Sequence, residues 1–216
     1  MIINTNCGFS IYFCTVKTGR PRSNGSRLRT KVETRLLTLS IFETLIMISK
    51  KMQKAINEQI NAELWSAYLY LSMAMDAEAK ALKGIANWFF VQWLEEQDHA
   101  RIFQNYMNER GAKVRLMPIS EVRQEWSSPL DMFEDTLKHE EEVTEMIDNL
   151  VRMAMDENDF ATLSRLQWFV DEQVEEEDSA RDQVADFERA GKDFSVLKEL
   201  DDQLGERRYK KASALE

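Results

Sequence analysis

One acidic spacing occurs twice in this chain, displaced by 77 residues, and it dictates how the helices that carry it must face one another. Glu63 is followed 33 residues later by Glu96, with His99 three positions further on. Glu140 is followed 33 residues later by Gln173, with Glu176 three positions further on. Residues three apart share one face of an α-helix. Each half of the pattern therefore offers one carboxylate from one helix and a pair of polar side chains from the next. Two such halves brought face to face form a cage of carboxylates around one imidazole, the arrangement of a binuclear metal site.

Register places that cage inside the fold. Ile56, Ile60, Glu63, Ala67 and Tyr70 follow spacings of three and four, as do Ile85, Phe89, Gln92, Glu96, His99, Phe103 and Tyr106. The same period links Phe133, Leu137, Glu140, Ile147, Val151 and Ala154, and then Leu166, Phe169, Gln173, Glu176, Ala180 and Phe187. Each candidate ligand thus lies within the apolar stripe of its helix. A single Glu-x-x-His on an acidic helix is ordinarily a solvated pair, and runs such as Glu140–Glu142 are ordinarily exposed. Four buried carboxylates with no Lys or Arg in the same stripes would be strongly destabilising in a metal-free structural bundle. A bound cation resolves that conflict.

The text between these stripes reads as helices and their punctuation. Ser49 is an N-cap candidate, and residues 50–79 contain neither Gly nor Pro. A break near 79–84 leads to a second helix stopped at Gly111. Residues 111–129 form a long connection, and a third helix over about 130–156 starts at Ser128-Pro129. Asn158 and Asp159 mark a turn into a fourth helix that closes at Gly191, with a shorter fifth helix over 194–204. Short, long and short connections describe an all-α four-helix bundle with one long crossover, its helices roughly 40 Å long.

A net charge of −10 excludes a general affinity for nucleic acid or anionic membrane. No stretch reaches the roughly 20 apolar residues of a membrane span. Residues 1–46 stand apart as a basic leader, with seven Lys/Arg against Glu33 and Glu43 and with both cysteines, Cys7 and Cys14. The leader is expected to be disordered or to reflect an early start, with the working protein beginning at Met47. The body, 47–205, has no cysteine, which suits a reducing, cytoplasmic setting. The polar tail 206–216, including Arg207 to Lys211, is expected to be solvated. His139, adjacent to Glu140 and so turned about 100° from it, is expected at the surface or an interface.

Oxygen-dominated coordination with one imidazole suits iron or manganese rather than structural zinc. The residues Asn61-Ala-Glu63-Leu, Glu95-Glu96-Gln-Asp-His99, Lys138-His-Glu140 and Leu166-Gln-Trp168-Phe-Val-Asp-Glu172-Gln173-Val-Glu175-Glu176-Glu177 resemble bacterial non-haem ferritin over Met47 to about Leu204. That resemblance implies a ferritin-like fold and one iron held by Glu63, Glu96 and His99. It implies a second iron held by Glu96 as bridge, Glu140 and Glu176, with Gln173 close by. A third, weaker site would take Glu95, Glu172, Glu175 and Glu176. Tyr70 matches the family's tyrosine beside the centre, and Trp168 a nearby tryptophan able to supply an electron.

The resemblance further implies ferroxidase activity on Fe²⁺ with O₂ or H₂O₂, mineral storage, and a homo-oligomeric shell of 24 subunits. Bacterioferritin would carry His at the position of Glu176 and a haem-ligating Met at that of Gln97, so no haem is expected. Rubrerythrin would add paired Cys-x-x-Cys motifs, and the mini-ferritins use a different ligand spacing. The rival function is a di-iron oxidase or peroxidase that retains its metals.

Overall fold

The computed structural model describes residues 48–215, so the expectations for the leader and for a start at Met47 lie outside the described residues. Five α-helices and no strand occur among the described residues: α1 (Lys50–Ala79), α2 (Lys83–Glu109), α3 (Pro129–Asp156), α4 (Phe160–Ala190) and the short α5 (Phe194–Leu204). A single 3₁₀ turn follows at Ser213–Leu215. The expected all-α bundle with a fifth helix is the observed one, and its boundaries follow from local chemistry. Ser49 Oγ accepts from Met52 N at 3.0 Å, Ser128 Oγ from Asp131 N at 3.1 Å, and Asp159 Oδ1 from Thr162 N at 3.1 Å. Each of these caps satisfies a donor that the first helical turn leaves unpaired. Gly191, at φ +57°, ends α4 in a conformation that side-chain-bearing residues resist.

The start of α2 is capped differently. Leu82 offers no side-chain acceptor, and Asp201 of α5 accepts from Ile85 N at 2.9 Å instead. Gly84 permits this approach, because a Cβ there would lie 1.4 Å from the Asp201 carbonyl oxygen. Asn87 ties the same junction by donating to the carbonyls of Leu204 and Arg207, each at 3.1 Å.

The crossover shows how the two hairpins, α1–α2 and α3–α4, are joined. Asn57 Oδ1 accepts from Arg115 N at 2.5 Å, Trp65 Nε1 donates to Glu121 O at 3.4 Å, and Ser72 Oγ donates to Arg123 O at 2.8 Å. Asp76 then accepts from Trp126 N at 3.1 Å. The connection therefore travels along α1 in the direction of α1, and delivers the chain to the end at which α2 began. Consequently α3 runs parallel to α2.

Two apolar clusters fill the bundle. One gathers Met52, Ile56, Phe103, Ile147, Leu166 and Phe169; the other gathers Tyr70, Met73, Trp88, Phe89, Phe133 and Phe187. Each fully buried side chain of this size contributes about 2 kcal/mol. Between the clusters, at the level of Glu63, Glu96, Glu140 and Glu176, lies a polar layer with no apolar equivalent.

Candidate metal centre

All four long helices supply that layer. Glu63 comes from α1, Glu96 and His99 from α2, Glu140 from α3, and Gln173 and Glu176 from α4, and every one is buried. Helical period alone accounts for this inward placement, since each residue continues an apolar stripe. His99 Nδ1 lies 3.5 Å from Glu96 Oε2 and 3.8 Å from Glu63 Oε2, while its Nε2 lies 3.8 Å from Glu172 Oε1. Ligand atoms of Glu63, Glu96 and His99 fall within 4.8 Å of one another, as do those of His99, Glu172 and Glu176.

The second grouping differs from the expected set of Glu96, Glu140 and Glu176. Glu140 is turned toward Tyr70, whose hydroxyl donates to Oε1, and toward Gln173, whose Nε2 donates to Oε2 at 3.2 Å. Of the outer carboxylates, Glu172 approaches His99, and Glu95 meets a cation described below. Glu175 is exposed and joins neither grouping. Trp168 packs edge-on to His99 at 5.6 Å between ring centroids, and its Nε1 donates to Ser213 Oγ at 3.1 Å.

Two glutamines orient the ligands, and the sequence stripe alone had not singled them out for this. Gln59 Nε2 donates to Glu63 Oε1 at 2.8 Å, and Gln92 Nε2 donates to Glu176 Oε2 at 2.9 Å. Fixing a ligand from outside in this way sets both its direction and its basicity. Their signal was present, in that a Gln one turn before a buried Glu on the same stripe can reach into the layer.

Two expectations are corrected by the packing. His139 is buried within the chain, with Nε2 2.7 Å from Ser66 Oγ and its ring against Trp65 and Tyr70. Rotation by one residue carries it from the cage toward α1 rather than into solvent, and burial holds its imidazole down to about 4. The tail is not solvated at Arg207. Its guanidinium donates to Glu95 Oε2 at 2.6 Å and to Gln92 Oε1 at 2.5 Å, and lies 4.6 Å from the Trp88 ring centre.

The electrostatics are those of a cage short of positive charge. Burial pushes the Glu140 carboxyl up to about 8, with Glu176 adding to the rise and the Tyr70 and Gln173 hydrogen bonds opposing it. Burial likewise raises Glu96 well above the usual carboxylate range despite His99 beside it, and raises Glu176. For His99, burial opposes the charged form, but Glu96, Glu172 and Glu63 outweigh it and raise the imidazole. Burial thus favours the protonated forms of Glu96, Glu140 and Glu176. Fe²⁺ fits the donor set, which is rich in carboxylate oxygen with one imidazole, and its arrival would displace those protons.

Comparison with known proteins gives consistent matches. The family model "Ferritin-like domain" matches residues 53–190. A bacterial non-heme ferritin of Bacteroides fragilis is 44% identical over 161 residues, covering 74% of this chain and 100% of the relative. One from Staphylococcus aureus is 37% identical over 163 residues, covering 76% and 98%. Among solved structures, an open pore ferritin from the hyperthermophilic archaeon Archaeoglobus fulgidus is 50% identical, with a TM-score of 0.74 over 74% of this chain and 99% of that one.

Proposed function

This chain belongs to the ferritin family, and on that premise we propose that it stores iron, oxidising Fe²⁺ at a paired site and holding the product as ferric oxyhydroxide. The observation that carries this proposal is the buried layer of Glu63, Glu96, His99, Glu140 and Glu176, in which burial raises the carboxyls of Glu96, Glu140 and Glu176. In this proposal Fe²⁺ is substrate. Two Fe²⁺ each surrender one electron; O₂ takes both with two protons and leaves as H₂O₂, or H₂O₂ takes both with two protons and leaves as water.

The residues serve that transfer in distinct ways. Glu63, Glu96 and His99 bind one ion, and Glu96, Glu140 and Glu176 hold the other once Glu140 turns from Tyr70. Gln59 and Gln92 keep Glu63 and Glu176 aimed inward, and Gln173 holds Glu140. The apolar clusters on either side exclude bulk water, so the carboxylates respond strongly to a cation. Storage calls for a closed homo-oligomeric shell, of about 24 copies by the family's pattern. A cytoplasmic setting fits a body free of cysteine, and among the described residues no helix is long and apolar enough to cross a membrane. The working unit of this proposal begins at Met47.

Anaerobic Fe²⁺ titration of protein starting at Met47, followed by air, tests the proposal. Tight binding at the paired site, rapid oxidation, and retention of hundreds of further irons in a large assembly are expected. Oxidation without accumulation, in a monomer or dimer, would instead indicate a di-iron oxidase that keeps its metals.

A further inference from the structure

Beyond α5 the chain turns back along α2 and is fastened there at several points. Asn87 holds the carbonyls of Leu204 and Arg207, and Asp98 accepts from Tyr209 OH at 2.7 Å and from Ala212 N at 3.0 Å. Trp168 of α4 donates to Ser213 further on. The segment therefore lies over the seam between α2 and α4, on the side where Glu95 and Glu172 approach the centre. Within this strap, Arg207 is the residue that reaches inward. Its guanidinium lies near the Trp88 ring and pairs with Glu95, and the two side chains keep only 26% and 21% of their exposure.

The same guanidinium also determines how Gln92 stands. Because Arg207 donates to Gln92 Oε1, the Gln92 amide nitrogen must face Glu176, to which it donates. Arg207, Gln92 and Glu176 thus form one directed relay from the strap to the metal layer. Ligand atoms of Glu172 and Glu176 lie with His99 within 4.8 Å of one another, and Arg207 ties Glu95 to that side of the centre through Gln92. A divalent ion entering between Glu95, Glu172 and Glu176 would meet a tethered cation already paired with the first of them.

We propose that Arg207 is a specificity-determining residue that closes the outer acidic group of Glu95, Glu172 and Glu176 to tight metal binding, and so confines tight binding to the inner pair. The inference rests on the proposed metal-binding role of that inner pair. A guanidinium is permanently charged and carries its own hydrogen-bond fork, so it neutralises Glu95 without needing an ion from solution. The outer group then binds a further ion only when the strap lifts.

Anaerobic Co²⁺ titration of the assembled, metal-free protein, by equilibrium dialysis and visible absorbance, tests this. The wild type is expected to bind about two Co²⁺ tightly per subunit. Arg207→Gln is expected to gain a third, at least about tenfold tighter than any third site of the wild type. Arg207→Gln combined with Glu95→Gln loses that third ion, and Arg207→Lys, which keeps the charge, stays at the wild-type stoichiometry. Asp98→Ala removes the acceptor of Tyr209 OH and Ala212 N, loosens the strap without touching Arg207, and is expected to raise third-site occupancy even if the Arg207 variants fold poorly. A third tight ion in the wild type, or unchanged stoichiometry in both Arg207→Gln and Asp98→Ala, overturns the inference while leaving iron storage intact. A wild type that binds no Co²⁺ at the inner pair overturns the functional proposal, and with it this one.

Discussion

Gln59 and Glu63 are one helical turn apart on α1, and the Gln59 amide donates to Glu63 Oε1 at 2.8 Å within the core. That bond leaves Oε2 as the oxygen facing His99. Gln59→Leu keeps the volume and removes the orienting donor. Metal affinity at the inner site is expected to fall roughly 10- to 100-fold, the usual effect of losing such a partner. Anaerobic Co²⁺ titration checks this, with circular dichroism to establish that the helices are unchanged.

Burial of carboxyls without a cation has a direct thermodynamic signature. Glu96→Gln removes one ionisable group from the layer, and the metal-free protein is expected to gain about 1–2 kcal/mol of stability. The same variant loses most of the stabilisation that metal gives the wild type, about 2.7 kcal/mol at an ion concentration 100 times Kd. Thermal melts with and without Co²⁺ read both effects. A wild type that melts at the same temperature in both conditions would contradict them.

Acid stability has a separate source at the α3–α4 turn. Arg110 pairs with both oxygens of Asp159, at 3.0 and 3.1 Å, and Asp159 also caps α4. Burial alone would raise the Asp159 carboxyl, but Arg110 and Thr162 outweigh it and hold it below the usual range. A depressed carboxylate stabilises the fold above its unfolded pKa of about 3.9, and that contribution drains away as pH falls below it. Asp159→Asn is therefore expected to destabilise the protein by about 2 kcal/mol at pH 7 and to narrow the gap from wild type as pH falls toward about 3. Urea midpoints at several pH values provide the measurement.

Gly84 is where α2 and α5 meet backbone to backbone, and a methyl group there has no room beside the Asp201 carbonyl. Gly84→Ala is expected to detach α5 and the strap while the four long helices persist. Limited proteolysis then cleaves beyond residue 190 much faster than in the wild type, with a loss of helicity confined to about one short helix. Rapid loss of the whole bundle would show instead that α5 holds it together.

Much of this was legible before the fold was known, and the reason is the locality of helical rules. Ser49, Ser128 and Asp159 act on donors three residues away, so their caps are written in adjacent text. Glu63, Glu96, His99, Glu140 and Glu176 fall in the interior because the 3.6-residue period assigns them to apolar stripes. His139 and Arg207, the two residues misjudged, depend on partners far away in the chain. His139 sits beside the stripe of its own helix, but Ser66, 73 residues earlier, receives it. Arg207 looks like solvated tail until α5 folds back and sets it 112 residues from its partner Glu95. Glu175, placed by resemblance at the outer site, turns outward because its neighbour Glu176 takes the inward position.

The cap that Asp201 supplies to Ile85 has a bearing on the order in which the molecule is completed. Ribosomes deliver residue 85 long before residue 201, so the first turn of α2 emerges with its donor facing water. Until residue 201 is made, that turn lacks its side-chain cap. The nascent bundle becomes a finished one only when a late-made helix returns to an early-made one, and the acidic centre gains its cover in the same closing movement.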